Sequence, residues 1–229
     1  MNIQGFQKLT LLDYPEHVAC TLFLGGCQLD CPYCHNSELL RGPFFNQIDE
    51  KEILAFLKKR QGILDGVCIT GGEPLLQGEL IDFLKEIKGL GYQIKLDTNG
   101  GFPHHLEKIL EENIVDYVAM DIKHAPQKYG IACGIDYLDI RPFEKSKTLL
   151  INGTIDYEFR TTVVKNIHEK ADIEEMAKWI KGAKRYFLQS FVDREQVRNH
   201  SLEAYDEEEM RALLALAQQY IPNTFLRGI

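Results

Sequence analysis

Short runs of β-branched and aromatic residues alternate along this chain with segments whose apolar positions recur every three to four residues. The first run, 17–24, is rich in Val, Thr, Phe and Leu. Further on, Asp49 stands where it can cap a helix whose Ile53, Leu54 and Leu57 share one face. A second strand is predicted over 66–70. It is followed by a helix over 79–88, with Leu80, Ile81, Leu84 and Ile87 at helical spacing, which hands over at Gly91 to a third strand, 92–97. The alternation continues with helix 103–112 before strand 115–122, helix 142–151 before strand 157–164, and helix 172–181 before strand 186–191. Six strands separated by helices imply parallel βαβ units, because parallel neighbours need a long right-handed crossover. A closed barrel of eight such units typically takes about 250 residues. The expected fold is therefore α/β, a partial and open-sided (β/α)6 barrel. Its core should cover about 16–192 of a single domain spanning 1–229. The remainder, about 193–229, reads as a helical extension: Met210, Leu213, Leu214 and Ala217 point inward from a helix over 206–220, expected to pack on the barrel end.

At 229 residues and 45% hydrophobic content, the chain can bury a sizeable core. A formal net charge of -8 and the lack of a Lys/Arg stripe argue against nucleic acid as a partner. Residues 1–14 carry neither the basic region nor the apolar run of a signal peptide, and no apolar stretch is long enough to cross a bilayer. The expectation is a cytoplasmic protein with no membrane partner. In that compartment thiols stay reduced, so the six cysteines point to metal or catalysis before disulfides.

Three of them stand in one loop just after the first strand, Gly26-Cys27-Gln28-Leu29-Asp30-Cys31-Pro32-Tyr33-Cys34-His35-Asn36. Parallel α/β folds place ligands there, beyond the carboxyl ends of the strands. Gly25, Gly26 and Pro32 give the chain the turns it needs for the thiolates to converge. Iron-sulfur clusters are usually held by four cysteines, so a compact set of three leaves one iron without a protein ligand. A structural zinc site with His35 as fourth ligand is the alternative, although zinc sites usually pair two ligand doublets and no second doublet is present. Cys20 and Cys68 lie in apolar strands and read as core thiols; Cys133 falls in an expected loop and has no assignment.

Other strand ends also carry chemistry. Thr70-Gly71-Gly72-Glu73-Pro74 closes the second strand: glycines let the backbone approach a ligand, and Glu73 can pair with an ammonium, though the stretch also reads as a plain turn. Asp97-Thr98-Asn99-Gly100 closes the third and Met120-Asp121-Ile122-Lys123-His124 the fourth. Charged residues at strand ends are often only solvated surface, but two such clusters on one expected rim favour function. Arg160 on the fifth strand can clamp a carboxylate at two points, or form a surface salt bridge. Leu188-Gln189-Ser190-Phe191 ends the sixth. His104, His105, His168 and His200 show no partner pattern and are taken as surface residues.

The CxxxCxxC spacing with Tyr33 before its last cysteine resembles the radical S-adenosylmethionine (SAM) superfamily. With the preceding stretch from Gly5 to Pro15, the loop is similar to the activating proteins of glycyl-radical enzymes, and most resembles those of anaerobic ribonucleoside-triphosphate reductase. The resemblance runs from Gly5 to about Phe191. It implies a [4Fe-4S] cluster held by Cys27, Cys31 and Cys34, with the fourth iron open to the methionine end of SAM. It implies cofactor contacts for Tyr33 and His35 in the loop and for Gly71, Gly72 and Glu73 at the methionine amino group. Asp97, Thr98, Asp121 and Lys123 would serve the ribose and carboxylate, with Arg160 at the cofactor and Gln189 at the adenosine. A monovalent cation near the aspartates, a glycyl-radical enzyme as protein substrate, and a flavodoxin or ferredoxin as electron donor are implied in the same way. No side chain is expected to act as acid or base, since the cofactor carries the radical. Activation of pyruvate formate-lyase, a small-molecule substrate, and a non-enzymatic redox sensor remain open at this stage.

Overall fold

The computed structural model describes residues 1–44 and 47–229. They form two compact units, one of Met1–Gln28 and Glu38–Ala119, the other of Leu29–Ser37 and Met120–Ile229. The fold is α/β, on a parallel-strand sheet that is open rather than closed. Among the described residues, no helix is long and apolar enough to cross a membrane.

The first unit holds β1 (Ile3–Thr10), β2 (Ala19–Leu24), α1 (Glu50–Arg60), β3 (Gly66–Gly71), α2 (Leu80–Gly89), β4 (Gln93–Thr98), α3 (Pro103–Glu111) and the start of β5 (Tyr117–Asp121). Strands β2, β3 and β4 pair parallel, with Thr21 beside Cys68 and Cys68 beside Lys95. Such strands are covered on both faces and so read as continuous apolar runs; Leu22, Val67, Ile69, Ile94 and Leu96 are all fully buried. The helices turn one apolar stripe to this core: Ile53 and Leu57 from α1, Leu80, Phe83, Leu84 and Ile87 from α2, Leu106 and Ile109 from α3. Each such side chain contributes about 1.5–3 kcal/mol on burial. Helix α1 begins as expected, with the Asp49 carboxylate accepting the Lys51 N–H at 2.8 Å. Its Glu50 and Glu52 lie in the first turn and Lys58, Lys59 and Arg60 in the last, matching the helix dipole.

Strand β1 was not anticipated from the sequence. It pairs antiparallel with β2, its register slips between Ile3 and Gly5 and again between Gln7 and Thr10, and Ile3 bridges Ile48. Its residues, Ile-Gln-Gly-Phe-Gln-Lys-Leu-Thr, show no sustained alternation, so the pattern of apolar positions marks no strand there.

The second unit continues β5 into α4 (Tyr129–Cys133), α5 (Arg141–Asn152), β6 (Asp156–Val163), α6 (Lys170–Trp179), β7 (Tyr186–Ser190), α7 (Glu207–Gln218) and β8 (Thr224–Arg227). Strands β6, β7 and β8 pair parallel. The C-terminal segment therefore does not end as a helix packed on the barrel end. Helix α7 lies against α6, β7 and β8 and serves as the crossover into one more parallel strand. A capping box starts it, with Asp206 and Glu209 each accepting the other's backbone N–H at 2.8 and 3.0 Å. Within the core, the Thr161 hydroxyl donates to the Ile122 carbonyl at 2.7 Å, leaving its oxygen to accept from the Tyr186 hydroxyl at 2.8 Å.

Strand β8 is only four residues long and is fastened by Arg227. This guanidinium stacks over Phe187 at 3.9 Å and donates to both carboxylate oxygens of the buried Glu158, at 2.9 and 3.2 Å. Removing one partner of such a pair strands the other charge. Arg227→Met should cost about 2 kcal/mol, less than a fully buried pair would because the arginine is partly exposed. Urea unfolding should show this, with a second substitution, Glu158→Leu, restoring much of the loss.

Candidate active site

In the first unit, the end of β2 and the end of β3 press together through glycine. The Gly72 N–H donates to the Leu24 carbonyl and the Glu73 N–H to the Gly26 carbonyl, both at 2.8 Å. A Cβ on Gly72 would stand 2.2 Å from the Gly26 oxygen, and one on Gly71 2.3 Å from the Leu24 nitrogen. Gly26 and Gly71 also hold φ of 99° and 119°, a region open to glycine. The cysteine loop leaves this turn with the Gly26 N–H on the Leu39 carbonyl at 2.7 Å and the Cys27 N–H on the Leu40 carbonyl at 3.1 Å.

Glu73 is fully buried and spends its carboxylate on three donors. One oxygen accepts the Leu75 N–H at 3.0 Å and the Thr98 hydroxyl at 2.8 Å; the other accepts the Asn99 N–H at 2.6 Å. It thus ties the end of β3 to the end of β4, so its bond to Thr98 joins two of the expected site residues. Asp97 is ion-paired to Lys95, which is 2% exposed and lies 3.8 Å from the Cys68 sulfur. Asn99 donates to the Cys27 sulfur at 3.7 Å and pairs with the side chain of Gln28.

In the second unit, the remainder of the loop docks on α4. The Asp30 N–H donates to the Cys133 carbonyl at 2.8 Å, and Gly134, at φ 66°, leaves no room for a side chain against the Asp30 carbonyl. Cys133 is therefore a buried helix terminus and not the loop residue expected. A hydrogen bond with the Cys133 side chain pulls the Cys31 thiol down, burial opposes it, and the Lys123 charge adds to the lowering, leaving it at about 7. Burial pushes Cys34 up. Tyr33 is buried with its hydroxyl lacking a hydrogen-bond partner among the described residues.

Asp121, at the end of β5, meets Lys123 at 2.9 Å and the Arg160 Nε at 3.0 Å. Burial works to raise its carboxyl, but the two cations outweigh that and hold it at about 2. The expected trio of Asp121, Lys123 and Arg160 is thus a single ion cluster. The His35 Nε2–H donates to the Val192 carbonyl at 2.8 Å, and the ring stacks on Phe191, with ring centroids 5.9 Å apart. Gln189 stands half-buried on β7, in register with Thr162 and Arg227.

His168 is not on the surface as expected: it is fully buried, in a stack with the equally buried His124. The Val164 N–H donates to its Nδ1 at 3.1 Å, so Nε2 carries the proton and donates to the Lys123 carbonyl at 2.8 Å. Its ring also meets Tyr33 edge-on, at 6.3 Å between centroids. It therefore braces the backbone beneath Lys123 and the aromatic of the loop together. Lys95 was detectable in principle, since it alternates with Asp97 on one face of β4. His168 was not, because the Lys123 carbonyl and the His124 ring that it meets are distant in sequence.

The radical SAM superfamily pattern matches residues 21–193. A protein of Methanocaldococcus jannaschii named as a putative glycyl-radical enzyme activating enzyme is 33% identical over 253 aligned positions, covering 99% of this chain and 96% of its own. The pyruvate formate-lyase-activating enzyme of Clostridium pasteurianum is 31% identical over 187, covering 79% of this chain and 76% of its own. Streptococcus suis SuiB, solved bound to S-adenosylmethionine, shares the fold with a TM-score of 0.71 at 15% identity over 89% of this chain. The chain spans about half of SuiB, 48%. QueE from Escherichia coli shares it at 0.58 and 13% identity, covering 99% of this chain and 93% of its own. This chain belongs to the radical SAM superfamily, whose enzymes use a [4Fe-4S] cluster and S-adenosylmethionine, and within it to the glycyl-radical enzyme activating proteins.

The residues present suit those cofactors. Thiols are the ligands that iron-sulfur clusters select, the paired glycines bring bare backbone to the loop, and Tyr33 holds an unused buried hydroxyl inside it. Gly72→Ala should destabilise the protein by more than about 2 kcal/mol in urea unfolding, because the added carbon overlaps a backbone oxygen that cannot rotate away. A second outcome concerns His168, which burial holds at about 4, below its ordinary 6.5. Between those values the unfolded chain takes up a proton that the folded one refuses, so stability falls as pH drops from about 6.5 to about 4, by about 3 kcal/mol in all. His168→Gln should flatten that part of a urea-midpoint profile.

Proposed function

We propose that this chain activates a glycyl-radical enzyme by placing a radical on a glycine Cα of that partner, most specifically an anaerobic ribonucleoside-triphosphate reductase. The observation that carries the reading is the 33% identity along 99% of the chain to a protein named as a putative glycyl-radical enzyme activating enzyme, with three loop cysteines in CxxxCxxC spacing. Cys27, Cys31 and Cys34 are proposed to hold the [4Fe-4S] cluster. Bound beside it, S-adenosylmethionine supplies, on one-electron reduction, a 5′-deoxyadenosyl radical that abstracts the glycine hydrogen.

The chain's own residues bind, orient and neutralise. Gly71 and Gly72 let backbone approach the methionine amino group, and Glu73 fixes that turn through its three donors. Lys123 and Arg160 place positive charge where a carboxylate docks, and Asp121 holds both in position. Asp97 and Thr98 serve the ribose, Gln189 the adenosine, and Tyr33 and His35 line the loop. The carboxylates of Asp97 and Asp121 each already face a fixed cation, Lys95 for the first and Lys123 with Arg160 for the second. A reduced flavodoxin or ferredoxin in the cytoplasm is the proposed electron source. The 31% identity to the pyruvate formate-lyase-activating enzyme favours that lyase as a second candidate substrate.

Reconstitution with iron and sulfide in the absence of oxygen, followed by reduction with S-adenosylmethionine, should release 5′-deoxyadenosine, and Cys31→Ala should lower the yield at least 100-fold. Electron paramagnetic resonance after addition of the reductase should show a glycyl radical. A radical on the lyase alone would reassign the partner, and undiminished 5′-deoxyadenosine from Cys31→Ala would overturn the cluster assignment.

A further inference from the structure

We infer that Asn99 is a positioning residue for Cys27: its carboxamide donates an N–H···S hydrogen bond that aims the first cysteine of the loop and raises the reduction potential of the cluster it holds. The inference rests on the cysteine-loop reading above and adds to it a residue outside the loop.

The direction of the Asn99 amide is decided by its neighbours. The Gly101 N–H, which can only donate, points at the Asn99 Oδ1 at 2.9 Å, so the opposite arm of the carboxamide must be nitrogen. That nitrogen faces the Cys27 sulfur at 3.7 Å. Gln28 locks the orientation a second time: its Nε2 donates to Asn99 Oδ1 at 2.9 Å, and its Oε1 accepts from Asn99 Nδ2 at 3.3 Å. A third hold comes from the backbone, where the Asn99 N–H donates to Glu73 at 2.6 Å. Asn99 is 6% exposed, so water competes little for its amide. Gly101 is part of the arrangement, since a Cβ there would stand 2.2 Å from the Gln28 nitrogen.

The two amides next to Cys27 respond in opposite ways to its ionisation. As a thiol, Cys27 donates to the Gln28 Oε1 at 3.7 Å. As a thiolate ligand it has no proton to give, and that oxygen no longer stabilises it. The Asn99 N–H then becomes a charge-assisted donor and the stronger partner. Hydrogen bonds to cluster sulfurs are among the determinants of cluster potential, because they stabilise the more electron-rich reduced state. Asn99 thus makes the cluster easier to reduce.

The test compares wild type with Asn99→Ala, Asn99→Asp and Gln28→Leu, each reconstituted with iron and sulfide without oxygen, by iron content and by the midpoint potential from a titration followed by electron paramagnetic resonance. Asn99→Asp keeps the acceptor for Gly101 and loses the donor. The expected result is full iron loading with the midpoint moved to more negative potential in both Asn99 variants, and a smaller shift in the same direction in Gln28→Leu, where Asn99 remains but is held less firmly. Fully loaded variants with the wild-type midpoint would overturn the inference while leaving the cysteine-loop reading intact. If the Asn99 variants fail to load iron, an unshifted Gln28→Leu overturns it. A wild-type protein that assembles no cluster overturns the cysteine-loop reading itself.

Discussion

Two glycine backbones, Gly26 and Gly72, touch at a distance that no side chain permits, and much of the first unit's chemistry follows from that contact. The contact brings the Glu73 N–H onto the Gly26 carbonyl and so sets the start of the cysteine loop against the end of β3. Glu73 then reaches across to β4, where it orders Thr98 and Asn99. A hydrogen-bonded chain of short, stiff links results, in which the position of Cys27 is determined by three strand ends at once. Such a chain suits a centre whose ligands must hold one geometry while charge on it changes.

Electrostatics follows a consistent scheme. In the first unit the Glu73 carboxylate accepts hydrogen bonds at both oxygens and Asp97 pairs with Lys95; in the second, Asp121 pairs with Lys123 and Arg160. Groups buried without such a partner are kept neutral instead, as His168 is. Unpaired charge is expensive in a low-dielectric interior, and the Asp121 carboxylate, pulled down by Lys123 and Arg160, shows how a charged group is kept there.

The six strands read from the sequence are all present, because parallel strands buried on both faces leave continuous apolar runs that composition reveals. Strands β1 and β8 stand outside that pattern for different reasons: β1 is long but lacks alternation, and β8 is only four residues. At the site, spacing pointed to the cysteines and the glycine turn, because each is a short motif of fixed offsets, although the backbone that presses on the turn lies some way back in the chain. What the sequence did not show depends on partners distant along the chain: Cys133 under Asp30, His168 under Lys123, and the Gln28 side chain against Asn99. A motif names residue types at fixed offsets, and it contains no record of which carbonyl lies opposite.

The irregular outer strand has a bearing on association. A straight, unpaired β-edge presents evenly spaced amides on which another chain can build, the first step of many aggregates. In β1 the register breaks twice along eight residues, and Ile3 is already engaged by Ile48. Bulges of this kind bend and twist a strand, so its edge offers no long straight ladder. The same slips that hid this strand from its own sequence pattern thus make it a poor template for a stranger's.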